Sequence, residues 1–102
     1  MRTLSFTIDG QKLSKNGDFS NIIRGSKGYL KCEFSFNGND WDKHKLIAVF
    51  RTKEKECAVL LNPDRTCMVP DEVTDSSSFT LEMVGVSSNK KILTNKELIE
   101  QR

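Results

Sequence analysis

The stretch Leu30-Lys31-Cys32-Glu33-Phe34-Ser35-Phe36 places an apolar side chain at every second position and a polar one between. That period of two belongs to a β-strand, whose successive side chains point to opposite faces, so the segment predicts a strand with one face in a core and the other in water. Toward the N-terminus, Leu4, Phe6 and Ile8 alternate in the same way with Ser5, Thr7 and Asp9, and Asp9-Gly10 supplies a turn. Between Gln11 and Lys27 the apolar residues Leu13, Phe19, Ile22 and Ile23 are scattered among polar ones, which predicts an extended connection that pins a few side chains to the core.

Downstream, Asn37-Gly38-Asn39-Asp40 is rich in residues that tolerate left-handed turn conformations. The pattern then thickens from Lys45 to Lys53 into Leu46-Ile47-Ala48-Val49-Phe50, apolar on both faces, as expected of a central strand covered on both sides. Glu54-Lys55 reads as a turn into a return strand, Cys57 to Leu61, and Asn62-Pro63-Asp64-Arg65 as a second turn. Cys67 and Val69 form a short strand that Pro70 ends; Phe79, Leu81 and Met83 alternate in another, after which Gly85 relaxes the chain; Ile92 to Thr94 is a last short strand. About seven strands with turn signals every eight to twelve residues predict an all-β sandwich or barrel. Thr94-Asn95-Lys96-Glu97 matches a capping box before Leu98 and Ile99, but so few residues cannot hold an isolated helix, so the division expected is a sandwich over residues 1–95 and a C-terminal tail over 96–102 that frays or docks on a partner.

At 102 residues the chain accommodates one core. A hydrophobic share of 36% lies above that of disordered segments, and 16 basic against 14 acidic residues, without a long run of either sign, suggest neither a nucleic-acid arm nor an acidic mimic. The N-terminus lacks the apolar core of a signal peptide and no stretch is apolar enough for a membrane helix, so the expected location is the cytoplasm in which the chain is made, without membrane contact. Cys32, Cys57 and Cys67 are odd in number and lack CxxC spacing, and read as buried free thiols.

The residues give no foothold for catalysis. His44, the only histidine, lies between Lys43 and Lys45, so any Ser-His-Asp or Cys-His pair would have to be built on a solvated basic loop. Asp40 and Asp42 fall short of the six to eight oxygen ligands calcium takes and are more simply turn formers. No phosphate-binding glycine loop is present, and neither a metal nor a cofactor is expected. Two features invite a protein partner instead. The set Lys43, Lys45, Arg51, Lys53 and Lys55 is the most one-signed surface legible in the chain, and Arg51, Lys53 and Lys55 on or beside the hairpin after the central strand offer a handle to an acidic surface. Trp41 either closes one end of the sandwich, the favoured reading, or stands exposed as a binding anchor or carbohydrate platform.

Tyr29-Leu30-Lys31-Cys32-Glu33-Phe34-Ser35-Phe36, Asp40-Trp41-Asp42, Ile47-Ala48-Val49-Phe50, Leu60-Leu61, Cys67-Met68-Val69-Pro70-Asp71-Glu72-Val73, Phe79 to Gly85 and Ile92-Leu93-Thr94-Asn95 follow one another in an order and spacing that resembles the N-terminal immunoglobulin-like module of minor structural, baseplate and fibre proteins of Firmicutes-infecting tailed phages. The resemblance spans roughly residues 4 to 95. It implies a single immunoglobulin-like sandwich of about seven antiparallel strands, with Tyr29, Phe34, Phe36, Phe50 and Phe79 at core and corner positions. It also implies a non-enzymatic, phage-derived protein-binding module acting in the tail, baseplate or fibre of the virion. The alternative is a small intracellular phage-encoded inhibitor of a host defence protein, such as an anti-CRISPR, reusing the fold; its motive is the shortness of the chain.

Overall fold

The computed structural model describes residues 1–102 and is all-β, a sandwich of two sheets. The strands are β1 (Arg2–Asp9), β2 (Lys12–Asn16), β3 (Leu30–Asn37), β4 (Lys45–Arg51), β5 (Glu56–Leu60), β6 (Thr66–Met68), β7 (Ser78–Val86), β8 (Lys91–Leu93) and β9 (Glu97–Glu100), with one 3-10 turn at Asp71–Val73. One sheet runs β2-β1-β3-β6; the other runs β5-β4-β7-β8, with β9 also pairing with β7. The inward residues of both sheets interlock in one core containing Leu4, Phe6, Ile8, Cys32, Phe34, Ala48, Phe50, Phe79, Leu81 and Met83. Phe6 and Phe34, partners across β1 and β3, stack with ring centroids 5.3 Å apart.

Five expectations are corrected. The strands number nine, and β1 runs parallel to β3, pairing Leu4 with Cys32 and Phe6 with Phe34. Alternation in a single strand reports which face is buried and says nothing of the direction of its neighbour, so parallel pairing was not legible. The connection after Gln11 begins with a strand: Asp9-Gly10 turns β1 into β2, Gly10 having φ +59°, and only Leu13 of this short edge strand is buried, too little alternation to register. Past β2 the chain is held by Phe19, edge-on to Phe6 at 5.2 Å, by buried Ile22, and by Arg2, whose guanidinium donates to the carbonyls of Ser20 and Asn21 at 2.6 and 3.1 Å.

Residues 96–102, expected as a tail, instead carry β9 and belong to the sandwich. Ile99 lies opposite Phe79 and is buried, and Gln101, also buried, donates through Nε2 to the carbonyls of Val73, Thr74 and Ser76. The apparent capping box is satisfied otherwise: the Thr94 hydroxyl accepts from the amide of Met83 at 2.9 Å. Finally, Tyr29 is not a core residue; it is 48% exposed and contributes its carbonyl to the amide of Arg2.

Candidate protein-interaction face

The two sheets differ on their outer faces. On the four-stranded sheet the outward positions bring together Thr3, Ser5 and Thr7 of β1 with Lys31, Glu33 and Ser35 of β3, a polar face that water covers without penalty. On the five-stranded sheet the register sets Leu60 of β5 beside Ile47 of β4, Ile47 beside Val84 of β7, and Val84 beside Leu93 of β8. All four point away from the core, because their neighbours in sequence, Leu46, Ala48, Met83 and Gly85 among them, point into it. The result is an aliphatic row across four strands, about 14 Å long at a strand spacing of ~4.8 Å. Leu60 is 62% and Leu93 43% exposed, and Ile47 and Val84 are half-buried.

Rows on either side frame it. Toward the start of β4, Lys45, Val86 and Lys91 lie in register on the same face, with Lys43 and Lys90 in the adjoining loops, and all four lysines are exposed. Toward the end of β4, Ala58, Val49 and Glu82 lie in register, followed by Glu56, Arg51, Thr80 and Leu98. The Arg51 guanidinium bridges two strands here: Nε donates to Glu56 at 2.6 Å and Nη1 to the carboxylate of Glu82, which is buried. These hydrogen bonds, Glu82 first and Glu56 second, push the Arg51 pKa up, so the guanidinium is held charged within the sheet surface.

The residues singled out as partner-binding therefore part company. Arg51 is engaged by carboxylates of its own sheet and is not a free handle. Lys53 and Lys55 are exposed, but in the hairpin they alternate with Glu54 and Glu56, which cancels the one-signed character expected there. Trp41 is buried to 2% exposure, donates Nε1–H to the carbonyl of Gly10 at 2.8 Å and packs on Phe36 with centroids 5.6 Å apart. It closes one end of the sandwich, and neither an exposed anchor nor a carbohydrate platform exists at that position.

The thiols also separate. Cys32 and Cys67 lie opposite each other across β3 and β6, both buried. The Cys32 S–H donates to the sulfur of Cys67, and this hydrogen bond, followed by burial, holds the Cys32 thiol well above the usual thiol range. Cys57 is half-buried, and desolvation, followed by the charge of nearby Glu72, pushes it up as well. Asp42 makes an ion pair with Arg65 at 3.9 Å, and His44 Nδ1 lies 2.9 Å from the carbonyl of Asp42.

One signal in the sequence points to the face. The run Leu46-Ile47-Ala48-Val49-Phe50 predicted a strand covered on both sides; Leu46, Ala48 and Phe50 face the core, while Ile47 and Val49 lie on the outer side, Val49 buried at 7% exposure and Ile47 only half-buried with no second sheet over it. Compared with protein-family models, curated proteins and solved structures, the chain matches none of them.

Proposed function

We propose that the chain is a non-enzymatic protein-binding module that docks its partner on the outer face of the five-stranded sheet. The observation that carries this reading is the row Leu60, Ile47, Val84 and Leu93. Apolar surface left in water forgoes roughly 25 cal/mol per Å² that burial would recover, and folding does not demand the exposure, since the other sheet of the same chain has a polar outer face. The setting we assign is a phage particle, on the resemblance of the ordered strings from Tyr29 to Asn95 to the immunoglobulin-like module of tail, baseplate and fibre proteins.

The test replaces Leu60 and Leu93 together by Asp. Both are exposed, so the circular dichroism spectrum and melting midpoint should stay close to those of the parent chain. The parent protein should co-assemble with tail proteins and be found in purified particles, and the double variant should be lost from them. Retention of the variant at the parent's level would move the interface off this face. Absence of the parent protein from the particles would remove the virion setting and leave the intracellular inhibitor of host defence as the reading to pursue.

A further inference from the structure

The lysine end of the same face bears on what the partner looks like. Lys45 and Lys91 flank Val86 in the row immediately beside Leu60, Ile47, Val84 and Leu93, and Lys43 and Lys90 extend the patch into the loops on either side. None of the four makes an ion pair: the ion pairs of the structure are Lys27 with Asp75, Arg51 with Glu56 and with Glu82, and Arg65 with Asp42. Asp42, the acidic residue next to Lys43 in sequence, is thus directed to Arg65. The opposite end of the face is balanced, because Arg51, Lys53 and Lys55 stand among Glu54, Glu56 and Glu82. Along the direction of the strands the face therefore runs from unpaired positive charge, across an aliphatic row, to a neutral ion-pair network.

Such a gradient selects both the chemistry and the orientation of what lies on it. A partner with only apolar groups would leave the lysines to be desolvated without compensation, and a basic one would meet like charge. A second copy of this chain is disfavoured in the arrangement that matches strand ends, since it would bring the two lysine patches together. We propose that the partner is a protein surface carrying an aliphatic stripe bordered on one side by carboxylates, laid so that the stripe covers Leu60, Ile47, Val84 and Leu93 and the carboxylates meet Lys45 and Lys91. This rests on the docking reading of the face and adds the acidic border to it.

Three synthetic amphipathic peptides of about 20 residues, long enough to form a helix of ~30 Å, serve as probes: leucine on one face, and glutamate, glutamine or lysine along its border. Each is titrated into the full chain at about 0.15 M salt, where the Debye length is ~8 Å, and read by amide chemical shifts. The expected result is affinity in the order glutamate, glutamine, lysine, with at least about a tenfold gap between the first and last. Shifts should be centred on Leu60, Ile47, Val84, Leu93, Lys45 and Lys91, and the preference for the glutamate peptide should be lost in the double variant Lys45→Glu, Lys91→Glu, whose two new carboxylates balance Lys43 and Lys90. Equal affinity for all three, with shifts on the row, would overturn the acidic partner and leave the docking face standing. No shift on the row with any peptide would overturn both. Duplex DNA shifting the lysine amides while Leu60 and Leu93 stay unmoved would assign the lysines to phosphate and overturn the proposal. Row shifts that depend on the concentration of the protein alone would assign the face to a second copy and overturn it likewise.

Discussion

The ring of Trp41 fills the space in which a side chain at residue 85 would begin: a Cβ built on Gly85 stands 2.8 Å from Cε3 and Cζ3 of the indole. Gly85 lies inside β7, opposite Leu46, so its role is to admit the aromatic against the strand rather than to loosen the chain there. Gly85→Ala should destabilise the domain by about 1–3 kcal/mol, because the ring is fixed at Gly10 by its N–H and cannot simply retreat. Chemical denaturation checks this, and an unchanged midpoint would mean that Trp41 has room to move.

Ile99→Ala should cost about 2–5 kcal/mol, since the side chain is 1% exposed in a strand paired with Phe79 and its neighbours on β7. A loss within the error of the denaturation curve would make residues 97–100 a frayed tail after all.

The strands β2 and β9 show what was legible in the chain and what was not. Leu4 to Ile8, Leu30 to Phe36 and Phe79 to Met83 each alternate apolar side chains directed to the core with polar ones on the opposite face, and such strands declare themselves by alternation. In Glu97–Glu100 only Ile99 is buried, and in Lys12–Asn16 only Leu13, because both strands lie at the margins of their sheets, where one anchor suffices. One residue has no period. The site was hidden for a different reason: Leu60, Ile47, Val84 and Leu93 come from four strands, and only the register makes them neighbours. Arg51 was drawn to notice by its charge, but the carboxylates that occupy it lie five and thirty-one residues away.

Arg51→Ala should destabilise the fold by about 1–3 kcal/mol, because it strands the buried carboxylate of Glu82 without its donor. Adding Glu82→Gln should recover part of that loss, since a neutral amide is cheaper to leave unpaired than a carboxylate. A double-mutant cycle measures the coupling, and strictly additive losses would mean that the pair contributes nothing as a pair.

Cys32 gives a pH dependence. Its folded pKa is raised by Cys67 and by burial, so the native state holds this proton more firmly than the unfolded chain does. The associated stability is fully present below the ordinary thiol value of about 8.5 and is lost as pH rises beyond it, with a limiting slope of about 1.4 kcal/mol per pH unit. Stability measured from neutral to alkaline pH should fall less steeply in Cys32→Ala than in the parent. Identical slopes would show that the thiol ionises as easily folded as unfolded.

The central claim is that the outer face of the five-stranded sheet is the surface covered by a partner, and site-directed photo-crosslinking compares the two faces directly. A photoreactive phenylalanine analogue is placed at Leu93 on the aliphatic row or at Ser5 on the polar face of the other sheet, and the protein is irradiated in the cells that make it. The account predicts one discrete adduct from position 93, abolished when Leu60→Asp is added, and none from position 5. A discrete adduct from position 5 with none from position 93 would contradict it.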